Sequence, residues 1–321
     1  MHHTNNPISL KPKNTLLVIL AFFSIYVIWG STYMLNKVAV AELAPFFLAS
    51  IRFTTAGLLI FIISIAMGKS LAVTKRQLLN SFIVGVLFLS FGNGVIVWAL
   101  KYVDSGFAAL EISAQPLVVL LMMRLLQGKP IKLMSLVGVA LGIVGIVLLV
   151  TQKEIVTKEG SIMGMLMIFA CMLSWAYGSL FVGKADFPKN FFVNTGYQMF
   201  TAGLTLAMAS LVFGEQWISP TEWGEPVQIS MVLLIIFGSI VAFTSFNYLL
   251  KTVSPDKVAT STYVNPIIAL ILGWYILDEQ ITLQSIIAAA VLLTGVYFIN
   301  TNRTTFSIPR FSGKAQQMKK K

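Results

Sequence analysis

Ten apolar stretches, each long enough to cross roughly 30 Å of hydrocarbon, account for most of this chain. They run over 15–36, 45–67, 77–100, 106–127, 131–151, 161–183, 190–213, 229–250, 256–277 and 282–300. The breaks between them carry charges, glycine or proline, as in AELAP, QGKPIK, GEQWISPTEWGEP and LDEQIT, and none could form a soluble domain. Of the 321 residues, 57% are hydrophobic and 11% charged, whereas a soluble domain carries roughly a quarter charged residues. A chain so composed must face lipid. The sequence therefore predicts an all-α integral membrane protein with ten transmembrane helices.

The net charge of +11 does not point to nucleic acid, because the basic residues form no patch interleaved with aromatics. They sit between the apolar runs and in the tail QQMKKK, where anionic lipid head groups are the expected partners. Taking both termini as cytoplasmic places Lys69, Lys75, Arg76, Arg124, Lys129, Lys132, Lys184, Lys189, Lys251 and Lys257 inside, together with the basic tails. The opposite loops keep only Lys37, Lys101, Lys153 and Lys158, and the loop holding Glu215, Glu222 and Glu225 has no basic residue. That asymmetry follows the positive-inside rule. The organisation expected is a cytoplasmic tail at 1–14, five helices over 15–151, five more over 161–300, and a basic cytoplasmic tail at 301–321. The first apolar run lacks a small-residue cleavage site and is read as a retained span.

The two halves repeat each other. At an offset of 150 residues, Lys101/Lys251, Val103/Val253, Ala109/Ala259, Pro116/Pro266, Ser135/Ser285 and Gly145/Gly295 are identical. Earlier in the halves the offset is 146, pairing Trp29/Trp175, Thr55/Thr201, Ala56/Ala202 and Gly57/Gly203. Five spans is an odd number, so the second copy crosses the membrane upside down. Inverted repeats are characteristic of secondary transporters, whose sites lie near the midplane between the copies.

Several stretches carry a family resemblance: IYVIWGSTYMLNKVAV, APFFLASIRFTTAGLLI, SGFAALEISAQPLVVLLMMRLLQGKPIKLMSLVGVALGIVGIVLL and PDKVATSTYVNPIIALILGWYILDEQITLQSIIAAAVLLTGVYFI. Together they resemble the drug/metabolite transporter superfamily, EamA type, over essentially residues 15–300. The resemblance implies a permease or exporter of small metabolites in a bacterial inner membrane. It also implies a central cavity lined by spans one, three, four, six, eight and nine, with spans five and ten remote from it.

Polar groups inside the spans are the candidates for chemistry, because a charge at a helix centre costs at least about 2.5–3.5 kcal/mol. Arg52 and Glu111 are the ionisable ones, each about seven residues, or roughly 10 Å, from the same face. Equal depth allows them to pair. Arg52 also reads as a structural arginine, and the resemblance implies an arginine there whatever the substrate. Glu111 departs from the family, which has an apolar residue at that position. In a poorly solvated crevice its carboxyl would be suited to cycling protons or meeting a cationic group; facing the wet mouth, it would do neither.

Pro116 and Pro266 each remove a backbone donor, leaving the Ile112 and Thr262 carbonyls near midspan, and Gln115 and Asn265 would flank these kinks with amides. Further cavity candidates are Trp29, Tyr33, Asn36, Asn93, Trp98, Ser174, Trp175, Tyr177, Asn247, Tyr248, Ser261 and Tyr263. Aromatics with a few amides and hydroxyls would suit a small organic solute. Gly138, Gly142 and Gly145 form a stripe expected to serve close helix packing.

No glycine-rich phosphate loop, metal-ligating cluster or histidine-activated nucleophile is present in the sequence, so no cofactor, no metal and no enzymatic activity are expected. Cys171 reads as a small buried hydrophobe, and His2 and His3 as tail residues. The function expected is secondary-active transport, as an exporter of amino acids or amphipathic solutes, proton-coupled through Glu111. A passive facilitator of the same fold, or an intramembrane lipid-modifying enzyme, is the alternative. The partners would be a small-molecule substrate, lipids and protons, with the protein a monomer or weak homodimer.

Overall fold

The computed structural model describes residues 12–128, 130–131, 133–152, 158–253, 255–258 and 260–300. Lys129, Lys132, Lys153 and the tail residues of the charge count lie outside these. Ten long helices follow one another among the described residues, besides a single helical turn at Pro255–Val258: α1 (Thr15–Val40), α2 (Pro45–Ala66), α3 (Lys75–Ala99), α4 (Ser105–Gln127) and α5 (Leu133–Val150) form the first half. The second holds α6 (Ser161–Val182), α7 (Phe191–Val212), α8 (Glu225–Leu249), α9 (Ser261–Leu277) and α10 (Leu283–Asn300). Local sequence sets their ends. Thr74 and Gln77 form a capping box at the start of α3, and the Asn190 side chain accepts from Phe192 and Val193 N–H to start α7. Gly128 and Asp278, 150 residues apart, both end their helices in the left-handed conformation, at φ 63° and 54°. The inverted copies thus share a C-cap although only one copy uses glycine.

The ends of the spans that meet at the lysine-poor face are closed by charged side chains. Glu215 accepts from the Phe46 and Phe47 N–H groups at 3.1 and 2.7 Å, capping α2. Glu279 caps α4, accepting from Ser105 N at 2.7 Å, Ser105 Oγ at 2.9 Å and Gly106 N at 3.1 Å. Lys37 Nζ donates to the Leu100 and Val103 carbonyls at 2.6 and 2.7 Å. With its ammonium satisfied there, α1 continues to Val40, beyond the residue 36 at which hydropathy ended it. Charged groups at helix ends of matching polarity satisfy orphan backbone groups and the macrodipole together. We expect Glu279→Ala to lower stability by about 1.5–3 kcal/mol, the range for hydrogen bonds to a charged group. Glu279→Gln, which can still accept, should lose less. Thermal melts of the two variants in detergent check this, and equal losses would show that capping is not the cause.

Two symmetric helix pairs make the closest packing, α2 with α7 and α5 with α10. Gly57 of α2 lies against the Phe200 backbone and Gly203 of α7 against that of Thr54. In the other pair, Gly138 and Gly142 of α5 interlock with Gly295 of α10, and Gly145 abuts Leu292. The glycine stripe is therefore a packing surface, as its spacing suggested, and its missing side chains let backbones touch.

Three helices contain π-helical segments: Ser24–Ile28 in α1, Gly85–Gly94 in α3 and Leu234–Val241 in α8. Those in α3 and α8 are repeat equivalents, since Leu87/Leu233, Phe91/Phe237, Gly92/Gly238 and Val95/Val241 are identical at the 146 offset. The proline positions are less symmetric than expected. In the first half, α4 breaks at Ser113–Ala114, so Pro116 falls in the first turn of the following segment, where its missing N–H is harmless. Pro266, by contrast, lies inside the continuous α9.

Candidate functional site

The halves meet on a polar seam, and Arg52 lies in it. The residue is 3% exposed. Its Nε donates to Ser239 Oγ at 2.8 Å, and its Nη1 to Asn36 Oδ1 at 3.3 Å and Asn93 Oδ1 at 3.4 Å. The guanidinium carbon also lies 4.8 Å from the centroid of the Phe53 ring. Asn93 and Ser239 are repeat equivalents, one in each π-helical segment. One side chain can touch both copies of a position only where the two halves converge. Sequence reasoning passed over Ser239; the shared FGN and FGS motifs at 91–93 and 237–239 were the signal that marks it.

The tryptophans cross between the halves at the same level. Trp29 Nε1 donates to the Gly238 carbonyl at 3.3 Å. Its equivalent, Trp175, packs its indole nitrogen against Gly92, and stacks on Phe88 at 4.3 Å between centroids. Each glycine of the paired motif thus receives the tryptophan of the opposite half, and a Cβ at Gly92 would collide with the indole.

Glu111 is elsewhere on the seam. It is 4% exposed, and its Oε2 is buried without a hydrogen-bond partner among the described residues. The Cys171 thiol is within electrostatic reach of it, and Tyr33 within reach of Cys171. No ion pair within 4.0 Å joins Glu111 to Arg52. The direct pair that equal depth allowed is absent because the guanidinium is held by neutral oxygens of three other helices.

Gln115 and Asn265 act across the halves as well, but as fasteners. Gln115 Nε2 donates to the Met172 carbonyl at 3.0 Å. With its amide turned so that nitrogen faces the carbonyls, Asn265 donates to Ile25 at 2.8 Å and Tyr26 at 2.9 Å. Tyr26 and Met172 are equivalent at the 146 offset, so the two bonds are copies of one another. Both amides are occupied in holding α4 to α6 and α9 to α1.

The remaining candidates scatter. Trp98 packs with Phe46 and Phe213. Asn247 donates to Thr195 Oγ1 at 2.7 Å, and Tyr248 packs near Phe191. Tyr263 is partly buried, and its backbone N–H bonds to the Thr260 carbonyl. Tyr177 is 51% exposed on the same α6 stripe as exposed Leu166, Phe169 and Leu173. That stripe faces outward, so Tyr177 does not line the seam. A cavity of about 870 Å³ opens at the lysine-poor face, lined by Lys37, Glu42, Asp104, Lys158 and Glu279 among others, and by none of the candidates above. Most of its charges are engaged, Lys158 with Asp104 at 2.9 Å and Lys37, Glu42 and Glu279 with backbone groups. The described residues contain no group of three or more metal-ligating side chains.

Ten apolar helices in two inverted halves, closed on a polar seam, define a polytopic membrane protein of the inverted-repeat transporter class. The chain belongs to the EamA-like transporter family, which matches it twice, over residues 16–151 and 162–301. It is 32% identical over 288 residues to "Uncharacterized inner membrane transporter YedA" of Escherichia coli (strain K12), covering 89% of this chain and 91% of that protein. It is 22% identical to "Uncharacterized transporter YoaV" of Bacillus subtilis (strain 168), over 90% of this chain and 98% of the other. One solved crystal structure superposes with a TM-score of 0.63 at 20% identity, covering 90% of this chain and 96% of its own, a likeness of fold alone.

Proposed function

We propose that this transporter is a secondary-active exporter of a small amino-acid-like or amphipathic metabolite. It works by alternating access in a bacterial inner membrane, with both termini cytoplasmic and Glu111 as the coupling group. The observation that carries this reading is the unpartnered, buried Oε2 of Glu111, one residue before α4 ends its first segment. A buried carboxylate oxygen with no hydrogen-bond partner among the described residues is expensive to keep ionised in that setting. It can hold a proton on one side of the membrane and release it when the helices rearrange and water reaches it. The lysine and arginine asymmetry supports the orientation.

Glu111→Gln is the test, because it keeps the shape and removes the titration. Purified protein is placed in liposomes, and flux of a broad metabolite panel is recorded with and without a pH gradient. Wild-type flux should accelerate with the gradient, while Glu111→Gln should transport at one rate regardless of it. If wild type ignores the gradient and the variant matches it, the protein is a passive facilitator and Glu111 is structural. If no solute moves at all, the transport reading itself fails.

A further inference from the structure

Arg52 is a buried cation with no counter-charge within ion-pair distance among the described residues. Its bonded partners, Ser239, Asn36 and Asn93, are all neutral. No described carboxylate lies within 4.0 Å of it. Glu111 is not paired with it, and the loop carboxylates Glu42, Glu215 and Glu279 are engaged with backbone N–H groups. The Nη2 group makes no hydrogen bond to any described residue and lies beside Gly238, where a Cβ would stand 3.4 Å from it.

A guanidinium taken out of water calls for an anion, and the two N–H groups of Nη2 are the donors left to meet one. The neutral oxygens fix the orientation of the fork through Nε and Nη1 without cancelling its charge. Four helices from both halves, α1, α2, α3 and α8, converge on it, at the kind of inter-repeat position where transporters hold solutes. We propose that Arg52 is an anion subsite whose occupant is the carboxylate of the transported solute. This rests on the transport reading above and narrows it to solutes bearing an acid group. A site that reads only the carboxylate leaves the rest of the solute free to vary. Chloride shares the negative charge but not the shape and acceptor oxygens of a carboxylate, so the two sources are separable.

The test is thermal melting of the purified full-length protein in detergent, titrated with matched acid and amide probes. The pairs are L-alanine and L-alaninamide, L-leucine and L-leucinamide, and L-phenylalanine and L-phenylalaninamide, with sodium chloride as a separate arm. At least one acid should raise the melting temperature saturably, and its amide should need at least about tenfold higher concentration for the same rise. Arg52→Gln should abolish that preference, and Arg52→Lys should keep part of it. Should Arg52→Gln not fold, Ser239→Ala keeps the charge but frees Nε, and weaker acid selectivity is expected from it. No pair discriminating in wild type overturns the proposal, as does stabilisation by chloride alone. Failure of the transport reading is seen separately, in liposomes, as an acid that binds while no solute of the panel moves.

Discussion

Gly203→Leu should leave little folded protein. A Cβ at Gly203 would stand 2.5 Å from Thr54 N and 2.8 Å from Thr54 Cα, and its equivalent at Gly57 would stand 2.7 Å from Phe200 N. These obstacles are backbone, which no rotamer change can move aside. Ordinary overpacking of a core costs about 1–3 kcal/mol, because neighbouring side chains shift. Here α2 and α7 must separate along their most extensive contact, so a loss above about 4 kcal/mol is expected. The same holds for Gly295→Leu, where a Cβ would meet Gly142 N at 2.7 Å and Gly138 O at 2.8 Å. Gly183→Ala is the control: its nearest obstacle is Leu180 O at 3.7 Å, and a change within about 0.5 kcal/mol is expected. Size-exclusion profiles and melting curves in detergent measure all three. A monodisperse Gly203→Leu protein melting with wild type would refute close backbone packing as the purpose of these glycines.

Asn265→Leu should destabilise the protein more than Gln115→Leu, although the two amides are repeat equivalents. Asn265 serves the Ile25 and Tyr26 carbonyls, both in the π-helical segment of α1. The wider i→i+5 turn changes the regular α-helical ladder there, so an outside donor is expected to matter more to those carbonyls. Gln115 serves the Met172 carbonyl alone, and α6 is regular α-helix there. Leaving a buried acceptor bare costs about 1–3 kcal/mol, incurred at two sites in one variant and partly at one in the other. Melting curves of the two variants, with the double variant to test additivity, give the comparison. A Gln115→Leu protein as unstable as Asn265→Leu would mean the π-helical carbonyls do not need the amide.

Hydropathy was sufficient to find the spans because a lipid-crossing helix must be apolar over a length that bilayer thickness sets. The repeat was readable wherever both copies kept a residue for the same steric reason, as with Gly57/Gly203 and Gly145/Gly295. Tyr177 shows the limit. Its residue type suits a cavity and a lipid boundary equally, and only the rotation of α6 turns it outward. Trp29 and Trp175 show a different limit. Their equivalence is visible in sequence, but their docking on Gly238 and Gly92 depends on how the inverted halves cross.

Arg52 and Glu111 divide the same way. Sequence marks both, because a charge in a span is costly and therefore retained for a reason. Their equal depth suggests a pair, yet depth is one coordinate and pairing needs three. The helix azimuths send Arg52 to Ser239, Asn36 and Asn93 and leave the Oε2 of Glu111 without a bond. Composition, span length and repeat are properties of the chain, dictated by the solvent it must cross. Which polar side chains meet is a property of the assembled halves, because it depends on crossing angles and on backbones brought together by glycine.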